Sequence, residues 1–393
     1  MSYEEKYNRL QATLNHKEGD RVPISDFFWT GYMRNARKKW GDDVNMYKKF
    51  DLDYVVVTPN MDPIIMDFEI LEENGEDVLL KTGFGATVRR RGDLPMPHYE
   101  SFSVEKPEDM AGFKFDAPDD PRRFTRAGDD QINGLGDDLV RGIPSWQDRL
   151  ESFGNGTEIP IFGSVNEGYE FLWRCIGTEN ALYWMLLEEE LFADFVSRIG
   201  DFLVAFTKAQ IEWGKGKLAG MYIWGDVAYV NGMLFSPEKW RELFKPITAR
   251  IIAACREAGL MTIYHGCGNA TLIYDDLIEI GLEGYNPVEV KAHLDVLELQ
   301  KDFGGRLAFV GNIDVRELES GDRDRIKKQV LYKLQAGVGG GYIVQSDHSV
   351  SSDVLPESYE YMVELVREYG KYPLDLERIR RELAEESKAG GTL

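Results

Sequence analysis

Short apolar runs rich in β-branched and aromatic residues recur along the chain, separated by longer stretches whose apolar positions fall at helical spacing. That is the pattern of parallel strands joined by helical crossovers. Eight such runs stand out: Val22–Phe27, Tyr54–Thr58, Ile159–Gly163, Met221–Trp224, Met261–Tyr264, Gly284–Asn286, Leu307–Val310 and Tyr342–Val344. Pro237–Ala258, with proline at its start, and Arg323–Ala336, which runs into Gly337, Gly339, Gly340 and Gly341, read as two of the connecting helices. Eight strand–helix units predict an α/β fold of the closed (β/α)8, or TIM-barrel, type.

The spacing breaks once, where about a hundred residues separate the second run from the third. Within that gap Met66–Glu72, Asp77–Thr82 and Ala86–Arg91 alternate as antiparallel strands, with turns at Asn74-Gly75 and Gly83-Phe84-Gly85. Residues 60–158 therefore read as a hairpin layer inserted after the second strand, over the barrel mouth, with Pro107–Gly136 as its loop or lid. Helical sequence at Tyr3–Asn15 and Pro356–Gly370 is expected to pack on the barrel ends. Residues 373–393 read as a tail, so that 1–393 form one domain.

Composition narrows the function. With 393 residues, 43% of them hydrophobic, the chain can bury a large core, and 68 acidic against 46 basic residues give a net charge of −22. Such a charge argues against nucleic acid or an anionic membrane surface as partner. The start has no basic-then-apolar leader and no run long enough to span a bilayer, so a cytoplasmic protein is expected. Three cysteines, Cys175, Cys255 and Cys267, are too few for a disulfide framework.

In a barrel of this kind the chemistry sits at the C-terminal ends of the strands. Nearly every expected end is polar: Asn166 and Glu167 after the third run, Asp226 after the fourth, His265 and Cys267 after the fifth, Glu289 after the sixth, Asn312 and Asp314 after the seventh, Asp347 and His348 after the eighth. His265-x-Cys267 brings an imidazole and a thiol, the donors a borderline-soft ion such as zinc takes, into a glycine-rich turn. His348 is the expected third ligand, and Asp226, Glu167 or Asp347 could add an oxygen or orient a group beside the metal. Asp347 reads equally as a loop-capping aspartate. His16, His98 and His293 lie in polar contexts, and Cys175 and Cys255 on apolar helical faces, where burial explains them. The basic cluster Arg89–Arg91 reads as a solvated strand edge before it reads as a carboxylate grip.

Aromatic residues gather near the same rim. Phe28, Tyr222, Trp224, Tyr229 and Tyr264, with Asn166 and Asn312, form the expected substrate-binding set, suited to a small ring-bearing molecule. Neither a Walker loop nor a strand-linked G-x-G-x-x-G is present, which argues against a nucleotide.

Four segments resemble the uroporphyrinogen decarboxylase superfamily: NRLQATLNHKEGDRVP (8–23), LFSPEKWRELFKP (234–246), FVGNID (309–314) and GGGYIVQSDHSV (339–350). The resemblance, which runs from about Tyr7 to Tyr369, implies a (β/α)8 barrel. Decarboxylases of the superfamily carry an arginine-rich Q-A-G-R segment where this chain has FFWTGYMRNARKKW, a departure that points away from a tetrapyrrole substrate. The other branch, zinc-dependent methyltransferases that exchange methyl groups with a corrinoid protein, carries His-x-Cys and a distant third ligand, often cysteine. His265 and Cys267 match, and His348 stands where that ligand would be; the decarboxylase branch also tends to have histidine there.

The resemblance thus implies zinc, a corrinoid (cobalamin) brought by a separate protein, since no D-x-H-x-x-G segment occurs here, and a small-molecule methyl donor. The expected reaction is demethylation of a methyl ether, plausibly aromatic, with Asp226 or Glu167 orienting the substrate. Methyl transfer from methylcobalamin to a thiol or to tetrahydrofolate, and a metal-free decarboxylase-like lyase, remain open. So does a homodimer.

Overall fold

The computed structural model describes residues 1–75, 77–91, 97–128, 144–154 and 159–389. In chain order its strands are β1 (Val55–Val56), β2 (Glu69–Asn74), β3 (Asp77–Lys81), β4 (Thr87–Arg90), β5 (His98–Ser101), β6 (Ile161–Asn166), β7 (Leu218–Trp224), β8 (Ala228–Tyr229), β9 (Gly232–Met233), β10 (Met261–His265), β11 (Gly284–Asn286), β12 (Ala308–Ile313) and β13 (Tyr342–Ser346). Strands β1, β6, β7, β10, β11, β12 and β13 lie in that order in one curled parallel sheet. Each pairs in parallel with the strand of this sheet that follows it in sequence, which crossover connections allow.

Of the eight expected runs, the first differs most. Residues 22–28 form bridges and no ladder: Ile24 pairs with Val344 and Phe28 with Val350. Pro23 has no N–H to give, which breaks the regular pattern. Its carbonyl nonetheless accepts from Val344 N at 2.9 Å, while Asp53 N donates to Ile24 O at 2.8 Å. This run therefore stands between β13 and the residues leading into β1, linking the two edges of the sheet.

Alternation along the strands separates two cores. Tyr54, Phe162, Tyr222, Ile263, Val310 and Ile343 meet on the concave side, where Leu10 and Leu14 of helix Tyr3–Leu14 join them. The intervening residues, Val55, Met221, Tyr264 and Phe309 among them, face the surrounding helices. Ser2 and Glu5 form a capping box that starts the N-terminal helix. Its Arg9 is buried, donating to Asp20 at 2.6 Å and to Asp53, which also takes Arg21 at 2.8 Å and Ile24 N at 2.7 Å. The charges are thus paired and hydrogen-bonded, the condition for burying them.

Strands β2 to β5 form a separate antiparallel sheet. Three of its strands fall at the three expected antiparallel runs, and β5 (HYES) adds a fourth that carries no apolar alternation to betray it. Arg89 is engaged by Asp77 at 2.9 Å, Glu72 at 3.3 Å and Glu100 at 2.5 Å, so its charge is neutralised within the sheet. The loop from Pro107 is pinned to the body, not hinged: Phe113 and Phe115 pack on Phe195 and Phe202, and buried Arg123 donates to the carbonyls of Asp62, Asp116 and Ala117. Residues 129–136 of the expected lid lie outside the described residues, as do 390–393 of the tail. Helices Pro356–Tyr369 and Leu376–Ala389 occupy the C-terminal region. Among the described residues no helix is long and apolar enough to cross a membrane.

Candidate metal centre

Strand β10 sets the geometry. Met261 and Ile263 point to the concave core and Tyr264 to the helices, so parity brings the His265 ring to the inner rim where the strand ends. The chain then turns sharply through Gly268 (φ +78°), where a Cβ would lie 2.5 Å from the carbonyl oxygen of Tyr229; a side chain cannot be accommodated.

The imidazole is held in one tautomer. Asn286, the register partner of His265 on β11, donates its Nδ2 to Val310 O at 3.1 Å, which turns its Oδ1 toward His265 Nδ1 at 2.5 Å. Nδ1 therefore carries the proton, and the Nε2 lone pair faces Cys267 Sγ at 3.5 Å and Asp226 Oδ1 at 3.9 Å. Asp226 is fixed in turn by Cys267 N, which donates to Oδ1 at 2.8 Å. Ligand atoms of Asp226, His265 and Cys267 all lie within 4.8 Å of one another. Behind them Glu289 accepts from Gly268 N at 2.7 Å and pairs with Lys291 at 3.0 Å.

Burial, reinforced by the nearby Asp226 and Glu289 charges, pushes the Cys267 thiol well above its usual range. Burial also lowers His265 and raises Asp226. A neutral imidazole, a thiol and a carboxyl whose ionised form burial disfavours are groups that a divalent cation would favour in their ligating forms. One nitrogen, one sulfur and one oxygen fit a borderline-soft ion such as zinc.

The other expected residues divide by what their atoms already touch. His348 is not in the three-residue cluster: its ring meets Trp29 edge-on at 4.9 Å and its Nδ1 lies 3.3 Å from Ser349 O. Glu167 is wholly buried as the N-cap of helix Gly168–Ile176, accepting from Tyr169 N at 2.7 Å and from the Trp240 indole at 3.2 Å. Burial raises it to about 8, against the pull of those donors. Asp347 accepts from Val290 N and Val315 N, both at 2.9 Å, which is the loop-capping role. Asn312, in the left-handed region at φ +69°, accepts from Val296 N and donates to the carbonyls of Val288 and Leu294. Asn166 is buried at the end of β6.

Among the aromatics, Trp224 and Tyr222 lie beside His265, with ring centroids 4.7 and 6.2 Å away. Tyr264 points the other way and donates to Gly225 O at 3.0 Å. Phe28 packs among Tyr32, Tyr47 and Tyr359, and Tyr229 is exposed. It is Phe27 that joins the wall, 5.5 Å from both Tyr222 and Trp224. Two residues outside the expected set, Phe27 and Asn286, thus complete the surroundings of His265. For Asn286 the signal was present, since it ends the strand that follows β10. A cavity of about 290 Å³ lies at the opposite end of β10, lined by Tyr7, Gln11, Arg256, Met261 and Glu283, away from this cluster.

Residues 152–369 match the uroporphyrinogen decarboxylase (URO-D) family. The chain belongs to this family. Family relatives include the methylcobamide:CoM methyltransferase MtaA of Methanosarcina barkeri, 27% identical over 184 residues, covering 47% of this chain and 51% of that protein. A uroporphyrinogen decarboxylase of Xanthomonas euvesicatoria is 28% identical over 192 residues, 46% of this chain and 51% of the relative. The chain thus spans about half the length of these relatives. Against the methylcobamide:CoM methyltransferase MtbA of Methanosarcina mazei the match runs over 371 residues at 24% identity, 92% of this chain and 97% of the other. The solved structure of a methyltransferase from Methanosarcina mazei superposes with a TM-score of 0.64 at 18% identity, covering 93% of this chain and 98% of that one, so the two share a fold.

Proposed function

We propose that this URO-D family chain is a zinc-dependent methyltransferase that moves a methyl group from a methylated small molecule, an aromatic methyl ether, to the cobalt of a separate corrinoid protein. The carrying observation is the His265 lone pair, aimed by Asn286 at Cys267 and Asp226. His265, Cys267 and Asp226 would hold the ion, with His348, on the loop after β13, as the remaining candidate ligand. Two of the relatives above are methylcobamide-dependent methyltransferases by name, which supports the corrinoid partner.

Zinc held in this way supplies a Lewis acid for the donor oxygen, or equally lowers the pKa of a bound thiol. The residues of the chain do the rest. Asn286 keeps the proton on Nδ1 of His265. Trp224, Tyr222 and Phe27 offer an apolar wall for a ring and keep water from it. Of the three carboxylates expected to act on substrate, Glu167 and Asp347 have both oxygens engaged by donors of the chain, which leaves Asp226 to orient a substrate hydroxyl through Oδ2, since Oδ1 is the oxygen that faces His265 and Cys267. The same reading takes the sheet as a (β/α)8 barrel in one domain, with residues 22–28 in the first strand position and β2–β5 as the layer inserted over its mouth; the Ile24–Val344 bridge supports it.

A second reading is favoured by the same relatives' names: transfer from methylcobalamin to a thiol on this site. Incubation with cob(I)alamin and methoxylated aromatics is expected to produce methylcobalamin, followed by its absorption spectrum. Consumption of added methylcobalamin by thiols, with no ether demethylated, would establish the second reading instead. Failure of transfer in both directions, with no zinc bound, would return the chain to the metal-free lyase reading.

A further inference from the structure

Helix Thr178–Leu187 is apolar on both faces. Ala181, Trp184 and Met185 are buried against the body, yet Tyr183, Leu186 and Leu187 are 58%, 64% and 70% exposed. Leu191, in the first turn of the next helix and 37% exposed, adds a further apolar side chain just beyond the break at Glu188. A surface helix of a monomer normally turns polar residues to water, and one that is apolar all round signals a second burial surface.

The position of this face is set by lengths. Helix Glu189–Gly214 has 26 residues and ends just before β7, which has seven. At 1.5 Å per helical residue and 3.3 Å per strand residue, the helix is about 39 Å long and the strand about 23 Å. The first turns of the helix therefore reach roughly 15 Å beyond the end of β7, on the side where Trp224 meets His265. Glu189 confirms the end: it pairs at 3.1 Å with Lys239, in the first turn of the helix Pro237–Leu243 that follows β7 and its hairpin. The apolar face thus stands at the mouth end of the molecule.

Its rim is acidic. Glu179 and Glu190 are exposed around it, whereas Glu189 pairs with Lys239 and Asp194 with Arg198. A second copy of this chain, itself carrying a net charge of −22, would set these acids against their own kind; a partner with basic residues around an apolar patch would not.

We propose that Tyr183, Leu186, Leu187 and Leu191 form the seat for the corrinoid-carrying protein, whose contact surface is apolar at its centre and basic at its rim. This rests on the function proposed above, because a carrier must bring its cobalt to the strand ends and so must touch this end of the molecule. The test compares two acceptors in the full chain: free cob(I)alamin, and cob(I)alamin held on a corrinoid protein. For Leu186→Asp with Leu187→Asp, the KM for the protein-borne acceptor is expected to rise about tenfold or more, as loss of central apolar contacts does. The rate with free cob(I)alamin and the thermal midpoint stay unchanged. An unchanged KM, an equal loss with both acceptors, or a shift of the chain from dimer to monomer on substitution would overturn the proposal. The variant Glu179→Lys with Glu190→Lys leaves the apolar face intact and is expected to raise the same KM by weakening charge attraction; a lowered KM would overturn the basic rim. Transfer by the unaltered chain to neither acceptor would overturn the function itself, and this seat with it.

Discussion

The ends of β10 and β13 look alike in sequence. Each is a buried strand that delivers a histidine beside another polar group: His265 with Cys267, and Asp347 with His348. In space they differ in where the polar atoms are used. Both oxygens of Asp347 accept from backbone N–H groups, of Val290 and Val315; Asn312 is likewise bonded to backbone, and Glu167 accepts from Tyr169 N and the Trp240 indole. At β10 the restraint comes from a side chain, Asn286, and acts on one ring nitrogen, leaving the other nitrogen and the cysteine sulfur facing an acid. A polar strand end is therefore a candidate for chemistry only when the irregular backbone around it has other donors and acceptors to satisfy it.

Exchanging the fates of the two ends is the most severe way to break this contrast. Cys267→Ala is expected to lower zinc affinity by more than about a hundredfold while the thermal midpoint hardly moves, and Asn286→Ala to lower it by about 10- to 100-fold, as loss of an orienting partner does. Metal analysis after dialysis reads both, and full zinc retention in Cys267→Ala would dissolve the distinction. Asp347→Ala should do the reverse. Two partly buried N–H groups lose their acceptor, so stability is expected to fall by about 1–2 kcal/mol in urea titration, with zinc content unchanged.

The smallest effect is one of pH. Glu167, raised to about 8 by burial, holds its proton at neutral pH in the folded chain, whereas an unfolded glutamate loses it near about pH 4.3. Its contribution to stability is therefore complete below that pH and is lost as pH rises through about 8. Glu167→Gln is expected to flatten the decline of stability between those limits. A slope identical to that of the parent would mean that Glu167 is ionised in the folded protein.

Much of the architecture was legible because the strands of a sheet covered on both faces are continuous apolar runs: seven of the eight expected runs coincide with strands of the parallel sheet. The first run became a set of bridges because Pro23 lacks a donor, and β5 passed unseen because its residues are polar on an exposed edge. At the site, His265, Cys267 and Asp226 were legible as residue types at strand ends. Glu167, Asp347 and Asn312 share that position, and only their hydrogen bonds distinguish them. Phe27 and Phe28 are neighbours in sequence, and which of the two faces Trp224 depends on a run that forms no regular ladder.

The seam at residues 22–28 also bears on how the molecule is made. Asp26 accepts from Ser346, a partner 320 positions along the chain, and Ile24 meets Val344 beside it. A polypeptide synthesised from its N-terminus can pair this segment with Asp53 and Tyr54 early, but holds its other side without a mate until residue 346 has been added. Contacts so distant in sequence make slow folders. Until the last strand arrives, the edges of the sheet stay open to strangers, and the interval between the two is when this chain most needs protection from its neighbours.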